Sequence, residues 1–111
     1  MKLCDITAAL PCEAVAGTGA AEREIECGFC CDLLSLAMSR AKENCIWLTV
    51  MGNVNTVAVA SLCDVAAILV CEGVTPDADT AARCDECGIG LYKTELPVFE
   101  AATKISEIMK G

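Results

Sequence analysis

Two near-continuous apolar runs stand out along this chain. Cys45-Ile46-Trp47-Leu48-Thr49-Val50 and Val65-Ala66-Ala67-Ile68-Leu69-Val70 have the pattern of strands buried on both faces. Met51-Gly52-Asn53 breaks the first run. Val54 to Leu62 then predicts a helix, with Val54, Val57, Ala58, Ser61 and Leu62 on its inward face and Asn53 or Asn55 as cap. Glu72-Gly73 turns the chain after the second run. Thr75-Pro76-Asp77 predicts a helix start, with Thr75 as cap and Pro76 at the first helical position; that helix runs to about Cys87 and stops at Gly88. Ile89 to Tyr92 predicts a short third strand. Pro97 opens a last helix with Val98, Ala101, Ala102, Ile105, Ile108 and Met109 inward.

The first half alternates less regularly. Leu3 to Leu10 predicts a short helix ended by Pro11. Cys12 to Ala16 predicts a strand, Gly17-Thr18-Gly19 a turn, and Arg23 to Gly28 another strand. Asp32 to Lys42 predicts an amphipathic helix capped by Asp32, with Leu33, Leu36, Ala37 and Ala41 at helical spacing. Strand and helix alternate three times in the second half. Residues 1–111 therefore read as a single α/β domain with a mainly parallel sheet flanked by helices, joined by right-handed crossovers.

Composition supports a packed core. Apolar residues make up 55% of the 111, and mean hydropathy is +0.52. Aromatics are only 4%, so Ala, Val, Ile, Leu and Cys fill the interior, and Trp47 and Phe99 are assigned to it. The net charge of −8, with no Lys/Arg cluster, opposes binding to nucleic acid or anionic lipid. No apolar run reaches the roughly 18 residues of a membrane span. No secretory leader is read at Met1-Lys2-Leu3-Cys4-Asp5, and the cytoplasm is the expected compartment.

Ten cysteines and no histidine change the picture most. Without histidine, the commonest general base and metal ligand are both missing. A zinc or iron–sulfur site would need four thiolates. Cys27-Gly-Phe-Cys30 and Cys84-Asp-Glu-Cys87 supply four, at a separation far longer than a zinc ribbon's. A thiol oxidoreductase would need a C-x-x-C at a helix amino end, and Cys27–Cys30 is the better candidate. The competing explanation is that these thiols are small core side chains, mostly reduced and buried. No cofactor is expected on that reading.

No P-loop and no dinucleotide fingerprint occurs, so no catalytic residue is assigned. Ligands of open α/β sheets bind beyond the carboxyl ends of the strands. The candidate ligand-binding residues are therefore Gly52, Asn53, Asn55, Thr56, Glu72, Gly73 and Thr94. The glycines permit close backbone approach, the asparagines offer donors and acceptors, and Glu72 favours a neutral or cationic ligand. The same residues also make good turns.

Several stretches together carry a family resemblance. They are Cys31-Asp32-Leu33-Leu34-Ser35, Ile46 to Val50, Asn53-Val54-Asn55-Thr56-Val57-Ala58-Val59-Ala60, Ala67-Ile68-Leu69-Val70-Cys71-Glu72-Gly73-Val74 and Leu96-Pro97-Val98-Phe99-Glu100-Ala101-Ala102. In order and spacing, from about residue 26 to 109, the chain resembles the DRTGG domain family, in particular its short stand-alone members. The resemblance implies a fold like the amino-terminal domain of HPr kinase/phosphorylase. It also implies a non-catalytic accessory role and frequent dimerisation, so a homodimer is expected. Such members accompany hydrogenase or sensor-kinase systems, which implies a protein partner of that kind. Asn53-Val54 stands where the family has Asp-Arg, and Cys71-Glu72-Gly73 where it has Thr-Gly-Gly, so no arginine is present there to bind phosphate. The expected function is a regulatory or protein-interaction domain sensing a small polar ligand. The alternatives are a metal or iron–sulfur accessory protein and a thiol oxidoreductase.

Overall fold

The computed structural model describes residues 1–111. Five strands form one sheet: β1 (Glu13–Ala16), β2 (Cys27–Cys30), β3 (Cys45–Thr49), β4 (Ala67–Val70) and β5 (Gly90–Lys93). Their spatial order is β1-β5-β4-β3-β2. The four strands β2 to β5 are parallel, and β1 joins the β5 edge antiparallel. The α/β architecture with a mainly parallel sheet is therefore as the apolar runs predict.

Five α-helices cover the two faces. They are α1 (Leu3–Ala8), α2 (Leu34–Arg40), α3 (Val54–Leu62), α4 (Ala78–Cys87) and α5 (Val98–Lys110). Strand alternation separates two cores. Ile46, Leu48, Ala67, Leu69 and Tyr92 point to α1 and α5, meeting Leu3, Ile6, Ala101 and Ile105. Cys45, Trp47, Ile68, Val70 and Leu91 point to α2, α3 and α4, meeting Ala37, Val57, Ala60 and Cys84. Trp47 is fully buried and its indole N–H donates to the Cys31 carbonyl at 2.9 Å, so the one tryptophan fills the core and ties down the end of β2.

Several boundaries differ from the sequence expectation for identifiable reasons. The second strand is Cys27–Cys30 rather than Arg23–Gly28, because Glu26 is where hydrogen bonding to Asn44 begins. The Gly17-Thr18-Gly19 turn leads into a 3-10 turn, Thr18–Glu22. Asp32 does not cap α2; its carboxylate accepts from the Thr49 hydroxyl at 2.8 Å and the Val50 N–H at 2.9 Å, and the helix starts at Leu34. The fourth helix starts at Ala78, because Asp77 outcompetes Thr75 as cap by accepting from the Thr80 N–H at 2.8 Å and its hydroxyl at 2.7 Å.

Two facial assignments are corrected, although Val57 of α3 is inward as predicted. In α3, Thr56, Val57, Val59 and Ala60 are buried, while Leu62 is 71% exposed and Val54 and Ala58 are also outside. A helix with no charged residue has apolar groups all round, so periodicity cannot pick its inner face. Phe99 is 82% exposed, not core, because Ala101 and Ile105 take the inward positions of α5.

Candidate functional site

The largest change of chain direction in the sheet is at the β5 edge. Strands β2 to β5 follow one another in sequence order, so the parallel part contains no reversal at which a crevice opens. Antiparallel β1 instead brings its amino end to the carboxyl ends of β4 and β5. A cleft of about 330 Å³ lies there, lined by Pro11, Cys12, Glu13, Gly73, Thr75, Lys93, Thr94 and Glu95.

Local chemistry explains its shape. Cys71 to Val74 form a tight turn, with the Val74 N–H donating to the Cys71 carbonyl at 3.3 Å and positive φ at Glu72 (64°) and Gly73 (74°). That is a type I′ turn, which favours glycine at its third residue. The turn is pinned to the segment after β5: the Glu72 N–H donates to the Leu96 carbonyl at 2.9 Å and the Gly73 N–H to the Thr94 carbonyl at 3.0 Å. The Glu95 carboxylate lies over Gly73, in space that any Cβ there would occupy. Thr94 is 5% exposed; its hydroxyl donates to the Pro11 carbonyl at 2.7 Å and accepts from the Leu96 N–H at 3.2 Å. On the strand side, the Lys93 ammonium stands 3.6 Å from the Glu13 carboxylate, across the register pair of β5 and β1. Two carboxylates and one ammonium thus line a polar cleft.

The seven candidate ligand residues are divided by the fold. Gly73 and Thr94 line the cleft. Gly52, Asn53, Asn55 and Thr56 form the β3–α3 turn, away from it. The Asn53 side-chain Oδ1 caps α3 by accepting from the N–H groups of Asn55 (3.0 Å) and Thr56 (3.2 Å). The Thr56 hydroxyl donates to the Met51 carbonyl at 2.9 Å, and the Gly52 carbonyl accepts from the Thr80 hydroxyl at 3.1 Å. The Glu72 carboxylate accepts from the Val98 N–H at 2.9 Å and so caps α5. Pro11, Cys12, Glu13, Thr75, Lys93 and Glu95 are the cleft residues that sequence reasoning missed. The charged residues either side of Thr94 were a usable signal for Lys93 and Glu95; the β1 residues needed the antiparallel pairing.

The cysteines are all free thiols. Only Cys45, Cys71 and Cys84 are buried, and Cys30 and Cys87 are exposed, so the expectation that most are buried is corrected. Short strands and helix rims hold the others half-covered. Cys27 and Cys30 both lie in edge strand β2, where residues three apart point to opposite faces. Cys84 and Cys87 lie in α4, which packs toward the other edge, beside β1 and β5. The four thiols of the two C-x-x-C pairs are therefore not brought together, and no three Cys, Asp or Glu side chains form a group fit to hold a metal. Burial pushes the Cys45 and Cys84 thiols up to about 11 and Cys71 to about 12, and also raises Cys12 and Cys30. Burial keeps these thiols protonated, the opposite of what a nucleophile needs.

No helix is long and apolar enough to cross a membrane. No family model and no curated protein matches the sequence. A solved structure does match in three dimensions: the crystal structure of the CBS and DRTGG domains of the regulatory region of Clostridium perfringens pyrophosphatase, complexed with the activator diadenosine tetraphosphate. The likeness has a TM-score of 0.76 at 16% identity and covers 96% of this chain. It spans 46% of that structure's chain, somewhat less than half. At such identity the likeness establishes the shared α/β fold.

Proposed function

We propose that this chain is a non-catalytic regulatory domain that senses a small polar ligand in the cleft at the carboxyl ends of β4 and β5. The observation that carries the reading is the cleft itself. Its volume of about 330 Å³ is in the range of small-molecule sites, and its lining is polar with an excess of carboxylate. That lining suits a neutral or cationic ligand. A highly charged phosphate would meet Glu13 and Glu95 with one lysine and no arginine in compensation. The occurrence of the same fold in a regulatory region supports the regulatory role. The lack of histidine, and the raised pKa of the three buried thiols Cys45, Cys71 and Cys84, support a non-enzyme.

A protein partner is the second half of the reading. The outward surface of α2 and α3 presents Leu33, Leu36, Met38, Val54, Ala58 and Leu62, and Arg40 is the one charged residue in the two helices. Exposed apolar side chains on two packed helices with so little charge favour protein contact. The family resemblance favours a partner in a redox or sensor-kinase system. The metal and thiol-redox alternatives find no support in the placement of the two C-x-x-C pairs.

The test is a thermal-shift screen with amino acids, polyamines and nucleotides, repeated on Lys93→Ala and Glu95→Ala. Stabilisation by a cationic or neutral compound, lost in the Glu95 variant, is expected. Stabilisation by nucleotides alone, unaffected by either change, contradicts the reading.

A further inference from the structure

One pair of thiols is matched across the sheet, and it is not a C-x-x-C pair. Cys27 opens β2, Cys45 opens β3, and the two are register partners in the parallel ladder. Neighbouring strands stand about 4.8 Å apart. A disulfide needs Cα atoms about 4.4–6.8 Å apart, so this pair meets the requirement without a backbone shift. The two side chains also share a face: Cys45 belongs to the core under α2, α3 and α4, and Cys27 packs against that core. Their exposure differs. Cys45 is fully buried, and Cys27 is half-buried at the free edge of the sheet.

We infer that Cys27 and Cys45 form an oxidation site, at which hydrogen peroxide converts the two thiols to a disulfide that ties edge strand β2 to β3. The reaction has two steps. The Cys27 sulfur, the one that solvent reaches, attacks a peroxide oxygen. The O–O bond breaks, Cys27 becomes a sulfenic acid, and the departing hydroxide takes the thiol proton as water. The Cys45 sulfur then attacks the Cys27 sulfur. The S–O bond breaks, the S–S bond forms, and hydroxide again takes the thiol proton as water. The thiol pair gives up two electrons, and one peroxide is reduced to two waters.

Burial fixes the order of the steps. It raises the Cys45 thiol to about 11, and the nearby Cys27 and Cys63 sulfurs add to the rise, so Cys45 stays protonated and does not start the reaction. Cys63 is the competing partner, but its thiol is aimed at α2, donating to the Met38 carbonyl at 3.6 Å and the Ala37 carbonyl at 3.9 Å. Only Cys27 has a ladder position that holds it opposite Cys45. The disulfide closes the segment from Cys27 to Cys45, which carries α2. Closing a loop removes freedom from its opened states, so oxidation steadies an edge strand that has one neighbour. The cleft lies at the opposite edge of the sheet, and the oxidation site stands independently of the sensing function.

Peroxide treatment of the whole folded chain, followed by alkylation, trypsin digestion and non-reducing tandem mass spectrometry, tests it. Trypsin separates Cys27 from Cys45 at Arg40 and Lys42. The expected product is a Cys27–Cys45 cross-link that dithiothreitol reverses. It should be absent in Cys27→Ser and in Cys27→Ala, and retained in Cys30→Ser and Cys63→Ser, with circular dichroism confirming that each variant is folded. Amide exchange in β2 should slow at least about tenfold on oxidation of the wild type and not in Cys27→Ala. A cross-link from Cys45 to Cys63 in place of Cys27, or one to Cys27 that forms only after unfolding in urea, would overturn the inference. So would Cys27 driven to sulfinic acid beside a free Cys45 thiol, or unchanged exchange of β2 in the cross-linked protein.

Discussion

The Thr94 hydroxyl donates to the Pro11 carbonyl at 2.7 Å, joining residues 83 positions apart. One buried side chain thereby fastens the segment before β1 to the end of β5, and the cleft forms over that joint. Thr94→Val keeps the shape and removes the polar atom. The Pro11 carbonyl and the Leu96 N–H both lose a partner, and the expected cost is about 1–3 kcal/mol of stability. Urea denaturation should show a lower midpoint with an unchanged slope. An unaltered midpoint would show that the joint contributes nothing.

Gly73 and Glu95 are coupled through space. Gly73→Ala should be destabilising for two reasons: its φ is +74°, and its new Cβ meets the Glu95 carboxylate. The backbone part is about 1 kcal/mol and persists in any background. The collision part should vanish when Glu95 is also alanine. A double-mutant cycle by chemical denaturation reads the difference. An equal penalty in both backgrounds would refute the placement of the carboxylate.

The thiols predict a pH dependence at the alkaline end. Burial raises Cys45 and Cys84 to about 11 and Cys71 to about 12, from 9.0 in the unfolded chain. As pH rises past 9.0 the unfolded chain loses these protons first and binds fewer than the native state. Stability is therefore full below that value and is lost as pH rises through the folded values. Thermal melts should hold level from pH 8 to about 9 and fall steeply above it, and replacing Cys71 by alanine should flatten the fall. Alkylation of the native protein should reach Cys30 and Cys87 first and spare the three buried thiols.

The fold was largely legible because its signals are local. Cys45 to Val50 and Val65 to Val70 read as doubly buried strands from their apolar runs, and Asn53, one of two cap candidates with Asn55, caps the helix that follows. The inner face of α3 was not legible, because Val54 and Leu62 are as apolar as Val57 and Val59. Asp32 was read as a cap, and only the tertiary neighbour Thr49 shows otherwise. The cleft was half legible for the same reason. Gly73 and Thr94 follow strands whose carboxyl ends can be named from sequence. Glu13 and Lys93 meet only because β1 runs antiparallel at the edge, a pairing without local trace. Glu72 follows a strand too, yet its carboxylate is spent on the Val98 N–H.

The measurement closest to the central claim is a backbone-amide NMR titration of the whole chain, with arginine and putrescine as cationic probes and diadenosine tetraphosphate as the anionic one. The cleft reading predicts saturable shifts with a cationic probe at Gly73, Thr75, Lys93, Thr94 and Glu95, weakened by Glu95→Ala, while Asn53 and Asn55 stay still. Amides of the cleft that remain unmoved by the cations, or shifts centred on Asn53 and Asn55, would contradict it.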